Sequence, residues 1–291
     1  MTDYQIIQPQ GELRHLVKYF WALNIRHLSG PLTIRTFVDD SSGIIFHHHN
    51  HQSAVKRGGE YLPQSIIYGQ ATQPSVAEVN TPFSAVGVLF QPQTIQRLFG
   101  IDAVYFSDRI YSLNDFKKEL PINIQLHDAG NNAERLDILS RFLLKKAADA
   151  RDEDSLVSEC IRRIKSNMVH QVKELVDLSG VSERQLQRRF ITSVGVSPRH
   201  YLKLAKFETV VKLLRQDMDI KFTEMAHDLE FADQPHFNRT IRNLSGLNPR
   251  ELKGRLKEEL VNLIIQDPAF KTQPLSSDDA SSGKPNGYLA A

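Results

Sequence analysis

The chain has 291 residues, of which 41% are hydrophobic and 24% charged, a composition typical of globular proteins and a length that allows about two domains. Its single cysteine, Cys160, excludes a disulfide framework and a multi-cysteine zinc site, and we expect a buried structural thiol in a reducing compartment. The sequence shows neither a signal peptide nor an apolar run of the roughly 18 residues that a membrane helix needs, so it predicts a cytoplasmic protein without membrane contact.

Charge is distributed unevenly along the chain, although the formal net charge is only +2. Between Arg162 and Lys257 there are 19 Lys and Arg against 11 Asp and Glu, so the rest of the chain is acidic. A basic C-terminal part joined to an acidic N-terminal part predicts a polyanionic partner for the C-terminal part alone.

The first part of the chain, residues 1–130, is predicted to be a β-rich sensor or regulatory domain, either cupin-like or another sheet or barrel. Short β-branched or aromatic runs bounded by turn residues predict strands at residues 32–38, 43–46, 65–68 and 85–90. Residues 13–21 and 92–99 are predicted to be short helices, the second with Pro92 near its start. Several aromatic residues suit either an effector pocket or the core, and core packing is the better prediction for most of them: Tyr19, Phe20, Trp21, Phe46, Tyr68, Phe83 and Phe90.

A histidine cluster follows the second predicted strand. If that strand continues, His47, His49 and His51 share one face, and with Glu60 or Glu78 they could hold a metal ion. This gives the alternative function, a metal-dependent cupin-like enzyme with a helical appendage. We favour solvated histidines at a polar strand end. No catalytic residue, metal or other cofactor is predicted, because the sequence lacks a nucleophile-plus-base group, a phosphate loop and paired carboxylates.

From residue 131 the apolar spacing changes to that of helices. Residues 131–154 are predicted to be a connecting helix, capped by Asn131, and a polar linker. Its leucines Leu136, Leu139 and Leu143 suit either a dimer seam or packing on the N-terminal domain, and we favour packing slightly. Residues 155–258 are predicted to be an all-helical domain, and residues 266–291 a disordered tail, so the fold class is α+β.

Two stretches of the helical domain repeat each other at an offset of 51 residues. Arg188 pairs with Arg239, Gly195 with Gly246, Pro198 with Pro249 and Arg199 with Arg250, and apolar positions follow the same offset. Each copy has the pattern of a helix, a tight turn, a second helix and an exit that begins with glycine. This pattern indicates two helix-turn-helix units that read DNA.

In the first copy, Gly180 ends a short helix and Ser182 caps the next, on which Leu186 and Phe190 face the core. The predicted DNA-binding residues of this reading helix are Ser182, Glu183, Arg184, Gln187 and Arg188. Arginine suits guanine edges and glutamine suits adenine edges in the major groove. Arg189, Arg199 and Arg250 are predicted to contact phosphates, which position the protein without reading sequence.

In the second copy, the turn at residues 230–232 leads to a reading helix that Asp233 caps and in which Pro235 is tolerated in the first turn. Its predicted DNA-binding residues are Asp233, Gln234, His236, Asn238 and Arg239. A helix over residues 199–216 joins the copies, and it would let the two reading helices enter successive major grooves about 34 Å apart.

These residues resemble the AraC/XylS family of bacterial transcription regulators over about residues 156–257. The matching positions are Gly180-Val181-Ser182, Leu186, Arg188, Phe190, Gly195-Val196-Ser197-Pro198, Tyr201-Leu202, Leu213-Leu214, Met225-Ala226, Leu229, Phe231, Asp233-Gln234, His236-Phe237, Arg239 and Gly246-Leu247-Asn248-Pro249. The resemblance implies sequence-specific binding to double-stranded promoter DNA, usually to activate transcription, with RNA polymerase as a partner. The chain departs from the family pattern at Glu230, where glycine is usual, so a strained or rearranged second turn is expected. An aromatic residue is usual at Ile241 and a smaller residue at Val210, and the three departures are expected to affect the DNA affinity of the second unit more than its fold.

Residues 16–21, 38–46, 68–69 and 88–92 are more loosely similar to the sensor region of one AraC-type subgroup. That similarity implies control by an unknown small-molecule effector or by homodimerisation. The third function considered, a helical protein-interaction module, would leave promoter DNA unbound at moderate salt.

Overall fold

The structure is a computed structural model that describes residues 2–28, 30–50, 52–116, 120–216, 220–256, 259–260 and 263–266. The strands are β1 (Thr2–Ile7), β2 (Val17–Ile25), β3 (Leu32–Thr36), β4 (Gly43–His48), β5 (Val55–Arg57), β6 (Glu60–Tyr61), β7 (Ser65–Tyr68), β8 (Ser75–Val79), β9 (Phe83–Phe90), β10 (Ile110–Ser112), β11 (Glu259–Leu260) and β12 (Leu263–Gln266). The helices are α1 (Thr94–Phe99), α2 (Leu120–Asp128), α3 (Asn132–Ala148), α4 (Ser155–Lys165), α5 (Val172–Ser179), α6 (Glu183–Ser193), α7 (Pro198–Gln216), α8 (Phe222–Asp228), α9 (Gln234–Ser245) and α10 (Pro249–Arg255). Among these residues, no helix combines the length and hydropathy of a membrane span.

The strands form two antiparallel sheets in the described part of the chain. The first has the order β1-β2-β9-β4-β7-β10, and the second has the order β11-β12-β3-β8-β5-β6. Alternate residues of β2 divide between two cores, since Phe20 packs with α3 on one face of the first sheet while Trp21 packs with strands of the second sheet on the other. Burial of both faces explains why this strand is apolar almost throughout.

The helices after α3 build two further cores. The first unites α4, α5, α6 and the start of α7 around Leu186 and Phe190. The second unites α7 to α10 around Phe237 and Ile241 and also contains Phe37, from the segment that follows β3. The α+β class with a β-rich N-terminal part and a helical C-terminal part is therefore confirmed.

The helix predicted at residues 13–21 is wrong in its second half. A 3-10 helix covers Gly11–His15, but Val17 begins β2 because the following β-branched and aromatic residues pair with β9. The predicted helix at residues 92–99 begins only at Thr94. The leucines of α3 suited either a dimer seam or packing on the N-terminal part. They pack, since Leu139 and Leu143 are fully buried in the N-terminal core.

The end of the described chain also differs from expectation. The predicted disordered tail began at Gln266, yet this residue ends β12, which pairs with β3 in the second sheet. Residues 267–291 lie outside the described residues. The backbone after α10 thus returns to the N-terminal part and extends its sheet, a pairing that local sequence patterns do not signal.

Candidate DNA interface

The first helix-turn-helix unit has the caps that its sequence predicted. Gly180 adopts a left-handed conformation with a φ of 66°, which ends α5 without a side-chain penalty. The Ser182 side chain accepts a hydrogen bond from the Gln185 backbone N–H, and the Gln185 side chain accepts one from the Ser182 N–H. This reciprocal capping box fixes where the reading helix α6 begins.

The outer face of α6 is open to solvent. Leu186 and Phe190 are fully buried, and all five predicted base-reading residues are exposed: Ser182, Glu183, Arg184, Gln187 and Arg188. The helix therefore presents a contiguous polar face of donors and acceptors while its opposite face holds it in the core.

The second unit begins with α8 and turns at Glu230, which has a φ of 53°. The expected strain is present here, because a side chain in the left-handed region costs energy that glycine avoids. The Phe231 N–H donates to the Ala226 carbonyl at 2.9 Å, and the Lys206 Nζ donates to the Glu230 carbonyl at 3.2 Å. These contacts hold the turn despite the absent glycine.

The reading helix α9 starts at the predicted cap, where the Asp233 side chain accepts a hydrogen bond from the His236 N–H at 2.6 Å. Gln234, Asn238 and Arg239 are exposed on its outer face. His236 differs from the expectation of an outward residue, since it is half-buried and its ring lies 5.6 Å from that of Phe231. Contact with the Phe231 ring thus restricts how far the His236 side chain can extend from the outer face of α9.

Arg199 and Arg250, which were predicted to contact phosphates, are both exposed in the first turn of a helix, α7 and α10 respectively. Helix N-termini attract anions through their free N–H groups, so both positions suit a phosphate. Arg189 is exposed as well, but its Nε lies 3.2 Å from the Asp154 carboxylate.

The comparisons with known proteins agree with this geometry. Residues 175–255 match a family model described as a helix-turn-helix domain, so one domain match covers nearly all of both units. The chain carries an AraC-type helix-turn-helix domain. Residues 5–112 match a domain of unknown function, DUF6597. With its AraC-type domain the chain is a DNA-binding regulator of transcription.

Solved structures that contain similar folds include other regulators. A transcriptional regulator with an AraC-type DNA-binding domain from Chromobacterium violaceum is 24% identical, with 36% of this chain and 96% of that chain covered and a TM-score of 0.34. ToxT from Vibrio cholerae O395 is 13% identical, with 82% and 99% covered and a TM-score of 0.44. Fatty-acid-bound ToxT from strain SCE256 is also 13% identical, with 80% and 94% covered and a TM-score of 0.43. No curated protein matches the chain significantly.

An acidic segment adjoins the first reading helix of the AraC-type domain. Asp152, Glu153 and Asp154 line one small cleft together with Arg188 and Arg189. Three carboxylates therefore lie beside two of the predicted DNA-binding arginines and offset their positive charge.

Sequence reasoning missed an ion-pair cluster between the N-terminal part and the AraC-type domain. Asp40 is buried and bonds Lys18, while its other oxygen lies 2.7 Å from Lys165 Nζ on α4 and accepts the Tyr201 hydroxyl of α7 at 2.7 Å. Burial alone would raise the pKa of Asp40, but the two lysines hold it well below its usual range. The sequence Asp39-Asp40-Ser41-Ser42-Gly43 resembled a sensor segment and a turn, yet nothing local showed its distant partners.

Further contacts attach both units to the N-terminal part. The Val38 N–H donates to the Leu244 carbonyl on α9 at 2.9 Å, and the rings of Phe37 and Phe207 meet edge to face. The Ser107 hydroxyl donates to the Gly195 carbonyl at 2.7 Å. A Cβ on Gly195 would lie 2.5 Å from the Ser107 hydroxyl, so glycine is required there both by its φ of 94° and by this approach.

The histidine cluster does not form the shared strand face that the alternative metal site needs, and the favoured expectation of solvated histidines is wrong for His47. β4 ends at His48, and His49 lies beyond it in an isolated bridge with Gln52, while His51 is outside the described residues. His47 is buried, but Glu60 and Glu78 are both exposed. In the part of the chain that the structure describes, no three His, Cys, Asp or Glu residues are grouped to hold a metal ion.

Proposed function

We propose that the chain activates transcription in the bacterial cytoplasm by placing α6 and α9 in successive major grooves of a promoter. The observation that carries this proposal is the pair of exposed polar helix faces at the same offset within one AraC-type domain. Because both faces are free in the chain as folded, DNA can reach them without unfolding of either core.

Base recognition is assigned to the middle of each outer face. Arg188 and Arg239 occupy equivalent positions and suit guanine, which accepts two hydrogen bonds from one guanidinium group. Gln187, Gln234 and Asn238 suit adenine. Arg199 and Arg250 are assigned to phosphates, and Arg189 joins them if DNA displaces its Asp154 partner.

The experiment selects bound sequences from a random DNA pool and then compares variants on the selected site. Arg188→Ala and Arg239→Ala should each weaken binding by about 1–3 kcal/mol and relax the preference at one base pair. Wild-type affinity should fall steeply as salt rises, because phosphate binding releases counterions. Arg141→Ala is the matched control, since Arg141 is an exposed arginine on α3, outside the AraC-type domain.

An equal loss on every DNA sequence would contradict base reading by these arginines and assign them to the phosphates. If the protein binds no DNA at moderate salt, the result would instead support the alternative of a helical protein-interaction module.

Control of DNA binding is assigned to residues 1–130, acting through residues 131–154 on a reader at residues 155–258. A cavity of about 490 Å³ in the N-terminal part supports a small-molecule effector, and one ToxT structure is described as bound to an unsaturated fatty acid. Homodimerisation and contact with RNA polymerase belong to the same proposal. A promoter reporter with RNA polymerase should show higher transcription with the protein than without it, and a decrease would indicate repression.

A further inference from the structure

The cavity in the N-terminal part lies between the two sheets and has a size typical of ligand sites, about 490 Å³. Residues of β1, β2, β3, β4, β5, β7, β8, β9 and β10 line it. Of the aromatic residues considered for an effector pocket, Tyr19, Trp21, Tyr68 and Phe83 line the cavity. Phe20, Phe46 and Phe90 are buried in the core on the other side of the first sheet.

One end of the cavity combines a carboxyl group with aromatic rings. Asp39 lies deep in the protein and keeps some accessible surface, which faces the cavity that it lines. Tyr4, Tyr19 and Tyr68 are near enough to interact electrostatically with one another, and Tyr19 and Tyr68 also interact with Asp39. Aromatic faces beside a carboxylate are the surroundings that stabilise an organic ammonium group.

The opposite end is marked by His47. Ile45 and His47 line the cavity from alternate positions of β4. His47 lies about 13 Å along the strand from Gly43, which pairs with Tyr68 at the Asp39 end, at 3.3 Å per residue. Burial lowers the pKa of His47 to about 4, so its ring is neutral at pH 7 and does not repel a cation. Both ring nitrogens are buried without a partner of normal hydrogen-bond geometry among the described residues, although the Pro63 backbone lies close enough to favour protonation.

The positive groups that line the cavity lie at its exposed margin. Arg57 and Arg109 are both solvent-exposed, and Arg109 donates to the Tyr111 hydroxyl. Asp108 is tied to Thr72, whose hydroxyl and N–H both donate to its carboxylate at 2.6 Å. The charged lining residue in the deep part is therefore Asp39. Burial raises the pKa of its carboxyl group, whereas the charge of Lys18, which is bonded to Asp40, lowers it, so an entering ammonium group would further favour the carboxylate.

We propose that this cavity binds an organic ammonium ion with an elongated apolar body. The ammonium group lies at Asp39 among the tyrosine rings, and the apolar body extends along Ile45 toward His47. Binding of the ammonium ion needs no DNA. Only its effect on DNA affinity rests on the proposed function.

The segment at residues 37–41 connects this site to the reader. Asp39 and Ser41 line the cavity, while the intervening Asp40 bonds Lys165 and Tyr201 of the helical part. Val38 likewise contacts α9 through its backbone. Neighbouring residues of one short segment thus meet the ligand and the reader, so a ligand that moves Asp39 changes the contacts of Asp40. Ligand binding can shift DNA affinity only by such a difference between two arrangements.

The test is isothermal titration calorimetry on the full chain without DNA, using phenylhexylamine, phenylhexanol and phenylhexanoic acid. These probes share one apolar body and differ in charge. The amine should bind more tightly than the alcohol, and the acid most weakly. Asp39→Asn keeps the oxygen that accepts the Ser41 N–H, yet it should lower the amine affinity about tenfold, as expected for loss of a charged partner. Alcohol binding should not change.

Asp3→Asn is the matched control, because Asp3 is exposed on β1 beside Tyr4 and does not line the cavity. If Asp39→Asn does not fold, Tyr4→Leu serves as the test variant. It removes an aromatic face but keeps apolar volume, so it should weaken binding of the amine and leave binding of the alcohol unchanged. Tighter binding of the acid, or amine affinity unchanged in both variants, would overturn the proposal.

The probe is then added to a titration with the selected DNA. A change in DNA affinity supports the connection through residues 37–41, and an unchanged affinity with intact amine binding refutes that connection. Failure to bind any DNA, with amine binding retained, would refute the proposed function and leave the ammonium site standing.

Discussion

The carboxyl group of Glu208 on α7 is held where its protonated form is favoured. Its Oε1 lies 3.3 Å from the Asp40 N–H, which donates to it. Burial, followed by the charge of Asp40, raises the pKa of Glu208 to about 8, against the opposing effect of Lys18 and Lys165. At neutral pH this glutamate therefore retains a proton that it would release in the unfolded chain.

Glu208→Gln should reduce the pH dependence of stability. Between pH 4.5 and about 8, the folded chain keeps the Glu208 proton while the unfolded chain has lost it, so raising pH disfavours folding across this window. A shift of one pKa unit corresponds to about 1.4 kcal/mol. The thermal midpoint of the wild type should fall by several degrees more than that of the variant as pH rises through the window.

Thermal unfolding at a series of pH values checks this expectation, with Glu60→Gln as the control because Glu60 is exposed on β6. Parallel midpoint curves for the wild type and Glu208→Gln would show that Glu208 ionises normally at this interface.

At the scale of elements, the turn between α8 and α9 is the place where the chain departs most clearly from the family pattern. Glu230 adopts the left-handed conformation that glycine usually supplies, and the turn keeps its shape through backbone hydrogen bonds. The fold of the unit therefore survives the substitution, and its cost is paid in stability.

Glu230→Gly should stabilise the helical part by about 0.5–1 kcal/mol, because relief of a left-handed side chain exceeds the extra freedom of glycine in the unfolded chain. Glu230→Ala is the matched control, since alanine removes the carboxylate but retains the Cβ that causes the strain. Urea unfolding measures both. Equal stability of the two variants would mean that the charge, and not the backbone, decides the effect.

Elements whose signals are local could be predicted from the sequence. The predicted helix caps at Asn131, Ser182 and Asp233 are all correct. In each, the side chain accepts a hydrogen bond from the backbone N–H only three residues later, so the signal is local. β2 was mistaken in part for a helix because its pairing with β9 depends on residues about 65 positions away. The same reason hid β12 and its pairing with β3.

At the scale of the whole molecule, the exposed outer faces of α6 and α9 follow from helix periodicity, whereas the contacts between the N-terminal part and the reader do not. Asp40 is separated from Lys165 and Tyr201 by more than 120 residues, so no short motif joins them. The sequence suggested an effector pocket only as the lesser alternative to core packing, yet Tyr19, Trp21, Tyr68 and Phe83 line the cavity, and the reason is similar. The division of aromatic residues between cavity and core depends on which face of the first sheet each side chain occupies.

The cluster around Asp40 should hold the two parts of the molecule together. Asp40→Asn removes the carboxylate that bonds the largely buried Lys18, and we expect a loss of about 3 kcal/mol in the free energy of unfolding. Loss of the pair with Lys165 adds little, because Lys165 reaches solvent. Tyr201→Phe should cost less, about 1.5 kcal/mol, since only one hydrogen bond to a charged group is lost. Asp137→Asn, at an exposed pair with Arg141, should cost no more than about 0.5 kcal/mol.

Limited proteolysis and thermal unfolding measure these losses together. Asp40→Asn should be cleaved faster than the wild type within residues 149–154, the segment between α3 and α4, because separation of the two parts would release the hydrogen bonds that hold its backbone to Arg97 and Gln93. The variant should still bind the ammonium probe, since Asp39 is unchanged, but the probe should no longer alter DNA affinity. Asp40→Asn could instead have the thermal midpoint and cleavage rate of the wild type and still change its DNA affinity when the probe is added. That result would show that the two parts communicate by another route, through Val38 and α9.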